Sequence, residues 1–298
     1  MLTEQDLHGV FVPIVTPFDL EGGLDLDSLS KLVQQFITKG IHGLVVNGTT
    51  GESPAIEPDE LELIIKSVRN ASPASQEIPV IVGTGTNNTA STVKKTIQAK
   101  THGADAALVV TPYYNRPSQQ GIIQHFASLA EAGLPIIVYD IPHRTGVSLE
   151  LDTLRTIMHM AHVIGLKDST GNVKQVRELT CSISKPVLCG DDELFFDSLC
   201  CGATGGILAS ANVNTDQFIR VFELFKAGKV SDAKLLFDSL LPLVNLLFAE
   251  PNPAPLKWFL AEIGHIRSDK LRLPMTTISP ELQQQLKAIV SLEKKVSR

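Results

Sequence analysis

The stretch VIGLKDSTG, Val163 to Gly171, runs a strand of apolar residues straight into a lysine. Strand side chains alternate, so Val163, Gly165 and Lys167 are expected to share one face. If that face points into an enclosed space, Lys167 projects from the strand end into its mouth. Burial disfavours the charged ammonium, and a neutral amine is a nucleophile that forms Schiff bases with ketones. The plainer reading is a strand-end lysine turned out to water. What the remainder of the chain builds around Lys167 decides between them.

Seven further runs of the same kind occur. They are GVFVPIVTPF (9–18), HGLVVNGTTGE (42–52), IPVIVGTG (78–85), AALVVTPYYN (106–115), LPIIVYDIP (134–142), KPVLCGDD (185–192) and GGILASAN (205–212). All are rich in Val and Ile and continuously apolar, as parallel strands covered on both faces should be. Amphipathic stretches separate them. Leu29, Val33 and Phe36 make one helical stripe that Gly40 ends, and Leu61, Ile64, Ile65 and Val68 make another. Eight strand–helix alternations predict a (β/α)8 TIM barrel over residues 1–224. A doubly wound open sheet would also alternate, but no GxGxxG follows the first strand. From about residue 225 only helical patterns remain, so 225–298 is expected to form a small C-terminal helical domain. Ser279 and Pro280 mark the start of its last helix, with Leu282, Leu286, Ile289 and Val290 as the apolar stripe.

The 298 residues carry a formal net charge of −6 and are 43% hydrophobic. That balance, with no basic cluster, argues against nucleic acid or an anionic membrane as partner. The N-terminus MLTEQDLHG lacks a secretory pattern, and LLFDSLLPLVNLLF is broken by Asp238, Ser239, Pro242 and Asn245. A cytoplasmic location is expected. Cys181, Cys189, Cys200 and Cys201 form no CxxC and have no histidine cluster beside them, so no metal site is expected. They read as reduced, structural thiols.

Each strand ends in a polar cluster: TPF, NGTTGE, GTG, TPYYN, YDIPHRTG, KDSTG, GDD and SAN. In a barrel these meet at the C-terminal rim, where such folds build active sites. Tyr139 can relay protons beside Lys167. In GTTGES, Gly48 and Gly51 allow close backbone approach, and Thr49 and Thr50 supply hydroxyls for a carboxylate or phosphate. Arg144 suits bidentate capture of a carboxylate. Tyr113 and Tyr114, two of only three tyrosines, suit an interface. Each residue alone also has a plain structural explanation: a packed rim aromatic, an ordinary turn, a solvated arginine. The pair Asp191–Asp192 reads as a turn whose carboxylates accept backbone hydrogen bonds.

Taken together, GTTGES, VTPYYNRPSQQG, YDIPHRTG, GLKDSTGN and CGDD resemble the family of pyruvate-dependent class I aldolases that includes dihydrodipicolinate synthase and N-acetylneuraminate lyase. The resemblance runs from VPIVTPF to LRLPMTTI. It implies that Lys167 forms a Schiff base with pyruvate and that Tyr139, Thr49 and Tyr114 relay protons, with Tyr114 supplied by a neighbouring subunit. It also implies that Thr50 holds the pyruvate carboxylate, helped by the backbone near Ile207 and by Gly190. Arg144, in the pattern YxxPxRTG, implies the synthase branch and a role in binding aspartate semialdehyde. Condensation of the two substrates to 4-hydroxy-tetrahydrodipicolinate, the first committed step of diaminopimelate and lysine biosynthesis, is the implied reaction. A sugar-acid or hydroxy-oxoacid aldolase is the alternative. The resemblance further implies a homotetramer built from two tight dimers, and no cofactor, because the protonated imine is its own electron sink.

Two departures stand out. Asp140 occupies a position where the synthases mostly carry Asn. Pro58 and Leu61 replace histidines, and Ser91 a glutamate, of the lysine-binding feedback pattern, although Ser53, Gly85, Asn87 and Tyr113 match it. Weak or absent feedback by lysine is expected.

Overall fold

A computed structural model describes residues 1–73 and 77–296, with side chains as far as residue 290. Its strands are β1 (Gly9–Pro13), β2 (Gly43–Val46), β3 (Val80–Gly83), β4 (Ala106–Val110), β5 (Ile136–Asp140), β6 (Val163–Asp168), β7 (Val187–Cys189) and β8 (Gly205–Ile207). They close into a barrel in chain order. The first strand meets the last in parallel, Gly9 opposite Gly205 and Phe11 opposite Ile207. The eight predicted runs are the eight strands, and the TIM barrel is confirmed. At the β1–β8 seam a Cβ on Gly205 would stand 2.0 Å from the Gly9 carbonyl, so only glycine allows this closure.

The chain divides into two compact units. The first comprises Met1–Val12, His42–Val46 and Ile78–Leu208, and so holds the barrel strands apart from Pro13, the last residue of β1. It also carries α3 (Thr89–Thr101), α4 (Gln119–Ser128), α5 (Pro142–Thr145), α6 (Leu151–Met158), α7 (Val173–Ser182) and α8 (Phe195–Cys200). Phe11, Val45, Ile81, Leu108, Ile137, Leu188 and Ile207, from seven different strands, belong to one buried cluster that fills the barrel.

The second unit comprises Pro13–Ile41, Asn47–Glu77 and the chain from Ala209 onward. It contains α1 (Leu26–Thr38), α2 (Pro58–Ala71), α9 (Thr215–Lys226), α10 (Val230–Leu247), α11 (Ala254–Glu262) and α12 (Pro280–Val296). Local signals set the helix starts. Asp25 Oδ1 accepts from the Ser28 amide at 3.0 Å, and Glu57 and Glu60 form a capping box before α2. Ser279 Oγ accepts from the Leu282 amide at 3.3 Å, the cap expected from sequence. No helix among the described residues is long and apolar enough to cross a membrane.

One expectation needs correction. Val163 does not share a face with Gly165 and Lys167. The β5–β6 register slips by one residue, so Val163 stands opposite Ile136 but Gly165 opposite Ile137. Ile164 becomes the extra residue of a bulge and joins the barrel cluster instead. All four cysteines are free thiols: Cys189 is buried, Cys201 half-buried, and Cys181 and Cys200 are exposed.

Candidate active site

Lys167 and Tyr139 are the last residues but one of β6 and β5, and they stand opposite each other in the ladder. Lys167 Nζ lies 4.2 Å from the centre of the Tyr139 ring. The two side chains are 7% and 6% exposed, so both are enclosed at the C-terminal end of the barrel. The ring face attracts the ammonium and so favours this placement of the side chain. Thr111 fixes the Tyr139 backbone, since its amide and hydroxyl donate to the Tyr139 carbonyl at 3.0 and 3.2 Å.

Gly190 closes the other side of the lysine. A Cβ there would stand 2.6 Å from Lys167 Cε and 2.1 Å from Ser169 Oγ. The Gly190 amide donates to the Asp168 carbonyl at 2.7 Å, which ties the end of β7 to that of β6. Glycine at this position is therefore what leaves the lysine its channel. Ile207, at the end of β8, is 1% exposed and lies in the same buried cluster as Tyr139.

The neighbours of Lys167 and Tyr139 along the chain turn the other way and form a buried carboxyl pair. Asp140 and Asp168 face each other across β5 and β6 and are 0% and 4% exposed. Neither Asp140 oxygen has a hydrogen-bond donor at normal geometry. Burial, with Asp168 adding to it, pushes the Asp140 carboxyl up to about 7. Burial also pushes Asp168 up to about 6, although the Thr170 amide and hydroxyl donate to its Oδ1 at 3.1 and 2.9 Å. Like charges this close cannot both ionise cheaply. Asp191 Oδ2 accepts from the Gly171 amide at 2.9 Å, the turn role expected for it. Burial raises the Asp191 pKa, and the Gly171 amide, Lys167 and His143 offset part of that rise, a link to Lys167 the sequence did not suggest.

Arg144 stands exposed on α5, a single turn of helix that Gly146 ends at φ +74. Tyr114 is 89% exposed, with φ +70, and Tyr113 is 39% exposed. The structure thus brings Lys167, Tyr139 and Gly190 together and leaves Arg144 and Tyr114 reaching into solvent.

Thr49 and Thr50 belong to the second unit, in the turn that leaves the C-terminal end of β2. Thr49 is half-buried and Thr50 is 4% exposed. The turn is clamped from far along the chain. Asn252 Nδ2 donates to Thr50 Oγ1 at 3.1 Å. Glu52, at φ +55, accepts from Lys257 Nζ at 2.8 Å and from the Arg272 amide at 3.1 Å. Lys257 also donates to the Thr16 carbonyl at 2.9 Å, and the Thr16 hydroxyl donates to the Gly51 carbonyl at 2.7 Å. Sequence reasoning missed these anchors. The lysine in NPAPLKWFL, within an otherwise apolar helix, was the available signal.

Residues 6–293 match the model of the dihydrodipicolinate synthetase family. The chain belongs to that family. It is 41% identical over 286 residues to a 4-hydroxy-tetrahydrodipicolinate synthase of Herminiimonas arsenicoxydans, covering 95% of this chain and 97% of that one. Among solved structures it resembles the chloride-inhibited dihydrodipicolinate synthase of Acinetobacter baumannii complexed with pyruvate. That likeness has a TM-score of 0.92 at 38% identity and covers 96% of this chain and 98% of that one. It also resembles the dihydrodipicolinate synthase of Thermotoga maritima, with a TM-score of 0.91 at 36% identity, over 95% of this chain and 97% of that one.

Proposed function

We propose that the protein is a 4-hydroxy-tetrahydrodipicolinate synthase, joining pyruvate to L-aspartate 4-semialdehyde through an imine on Lys167. The observation that carries this reading is the enclosed Lys167 amine held over the Tyr139 ring at the end of the barrel. Family membership and the relatives' names support it.

In this reading the Lys167 amine adds to the pyruvate ketone, and water leaves as the imine forms. The imine loses a methyl proton and becomes an enamine, whose carbon attacks the aldehyde. The substrate amine then closes the ring onto the imine carbon and expels Lys167. Tyr139, Thr49 and a partner subunit's Tyr114 pass the protons. Thr50 holds the pyruvate carboxylate, with Ile207 and Gly190 shaping the rest of its site. Arg144 holds the carboxylate of the semialdehyde. The protonated imine takes up the electrons, so neither metal nor organic cofactor enters. Residues 225–298 count as a separate C-terminal domain, and the protein works in the cytoplasm as a homotetramer of two dimers.

A single experiment tests the chemistry. Pyruvate with borohydride should add a reduced pyruvyl group to Lys167, detected by mass spectrometry, and Lys167→Ala should show neither adduct nor turnover. Aspartate semialdehyde should then be consumed in a coupled assay, and Arg144→Ala should raise KM for it far more than for pyruvate. Trapping with turnover of a keto-deoxy sugar acid, but not of the semialdehyde, would move the protein to the aldolase branch.

A further inference from the structure

Asn252 and Thr50 are 9% and 4% exposed and lie 202 residues apart in sequence. A hydroxyl has one proton to give and two lone pairs to fill. The Asn252 amide fills one lone pair of Thr50 Oγ1. Among the described residues no side chain or carbonyl takes the Thr50 proton, so it is left for an acceptor from outside. A bond donated into an oxygen also polarises that oxygen's own O–H and makes it the better donor.

The charge around the turn fits the same purpose. Glu52, two residues on, would repel an incoming carboxylate if it stood alone. Lys257 and the Arg272 amide occupy its two oxygens instead. Asn252 and Lys257 belong to one segment, the entry and first turns of α11. One segment therefore sets the direction of the hydroxyl at Thr50 and neutralises the acid at Glu52.

We propose that Asn252 is a positioning residue for pyruvate: it presents the Thr50 hydroxyl as a donor to the substrate carboxylate. This rests on the reading of Thr50 as the carboxylate-binding residue, and it adds a side chain from the opposite end of the sequence to the determinants of pyruvate affinity.

The test is a double-mutant cycle on the full-length protein, with Asn252→Ala and Thr50→Val made singly and together. KM for pyruvate is measured at saturating semialdehyde, and borohydride trapping is titrated with pyruvate. Asn252→Ala should weaken pyruvate about tenfold, the worth of one hydrogen bond to a group that serves an anion. KM for the semialdehyde and Tm should stay near those of the parent. In the Thr50→Val background the same change should add nothing. Asn252→Asp should be worse than Asn252→Ala, because a carboxylate would take the Thr50 proton for itself. Equal weakening with and without Thr50, or no change in pyruvate affinity, overturns the proposal. If Asn252→Ala does not fold, Asn252→Ser is read in the same way. A parent protein that traps no pyruvate overturns the functional reading and this inference with it, whereas normal trapping without coupling overturns this inference alone.

Discussion

Lys167 has room for its side chain only because Gly190 has none. Replacing Gly190 with Ala puts a methyl group 2.6 Å from Lys167 Cε, inside any normal contact distance. We expect Gly190→Ala to cost about 1–3 kcal/mol of stability through overpacking. Turnover should fall more steeply than that, because the amine is displaced from Tyr139. Thermal melting and borohydride trapping on one sample separate the two effects. A fully active variant would show that the lysine does not need this channel. The buried carboxyl pair gives a pH signature. Folded Asp140 keeps its proton up to about pH 7, whereas the unfolded chain gives it up near the ordinary value of 3.8. The folded state therefore binds more protons across that window, and stability falls as pH rises through it. Asp140→Asn removes the penalty. Urea unfolding should find the variant more stable than the parent at pH 8, by on the order of 2–4 kcal/mol, with the gain vanishing near pH 4. A gain independent of pH would mean that Asp140 carries no such proton. Lys167 and Tyr139 were legible in the sequence because each ends an apolar strand, where a polar residue needs a reason. The Asp140–Asp168 pair was not, because only the strand register shows that the two acids face each other.

Among the elements, the strands were legible from continuous Val and Ile, and the helices from their stripes and caps. The bulge at Ile164 was not, since nothing in VIGLK marks an extra residue; it arises where β6 must stay in register with β5 at its far end. The turn after β2 is the element on which the second unit spends its buried charges. Lys257 and Glu52 are 0% and 2% exposed, and Lys257 Nζ also lies 4.2 Å from the centre of the Phe18 ring. Removing one member of such a pair strands the other in the interior. Glu52→Gln or Lys257→Met alone should cost about 3–5 kcal/mol, and the double substitution should recover part of that loss. Chemical denaturation of the three variants measures it; a double variant as unstable as the sum of the singles would mean that the two charges do not act as a pair. The sequence showed Glu52 and Lys257 separately, but a contact across 205 residues leaves no local trace.

For the assembly, Tyr114 is, with Arg144, a candidate residue that a single chain leaves in solvent. Its ring is 89% exposed on a backbone held at φ +70, a cost of order 1 kcal/mol that packing within the chain does not offset. If a second copy receives it, Tyr114→Ala should shift sedimentation toward smaller species and lower kcat at least tenfold, the usual scale of a lost proton relay. Unchanged kcat in the variant would remove Tyr114 from the relay. The order in which the chain is made adds a last consequence. Thr50 and Glu52 emerge early in synthesis, but the residues that fix them, Asn252 and Lys257, come more than 200 residues later. A ribosome that has delivered all eight strands, the last ending at Ile207, has still not delivered those two side chains. A nascent or truncated chain can hold the lysine and the threonines and still lack the clamps on the turn after β2, so that turn is fixed only when synthesis is nearly done.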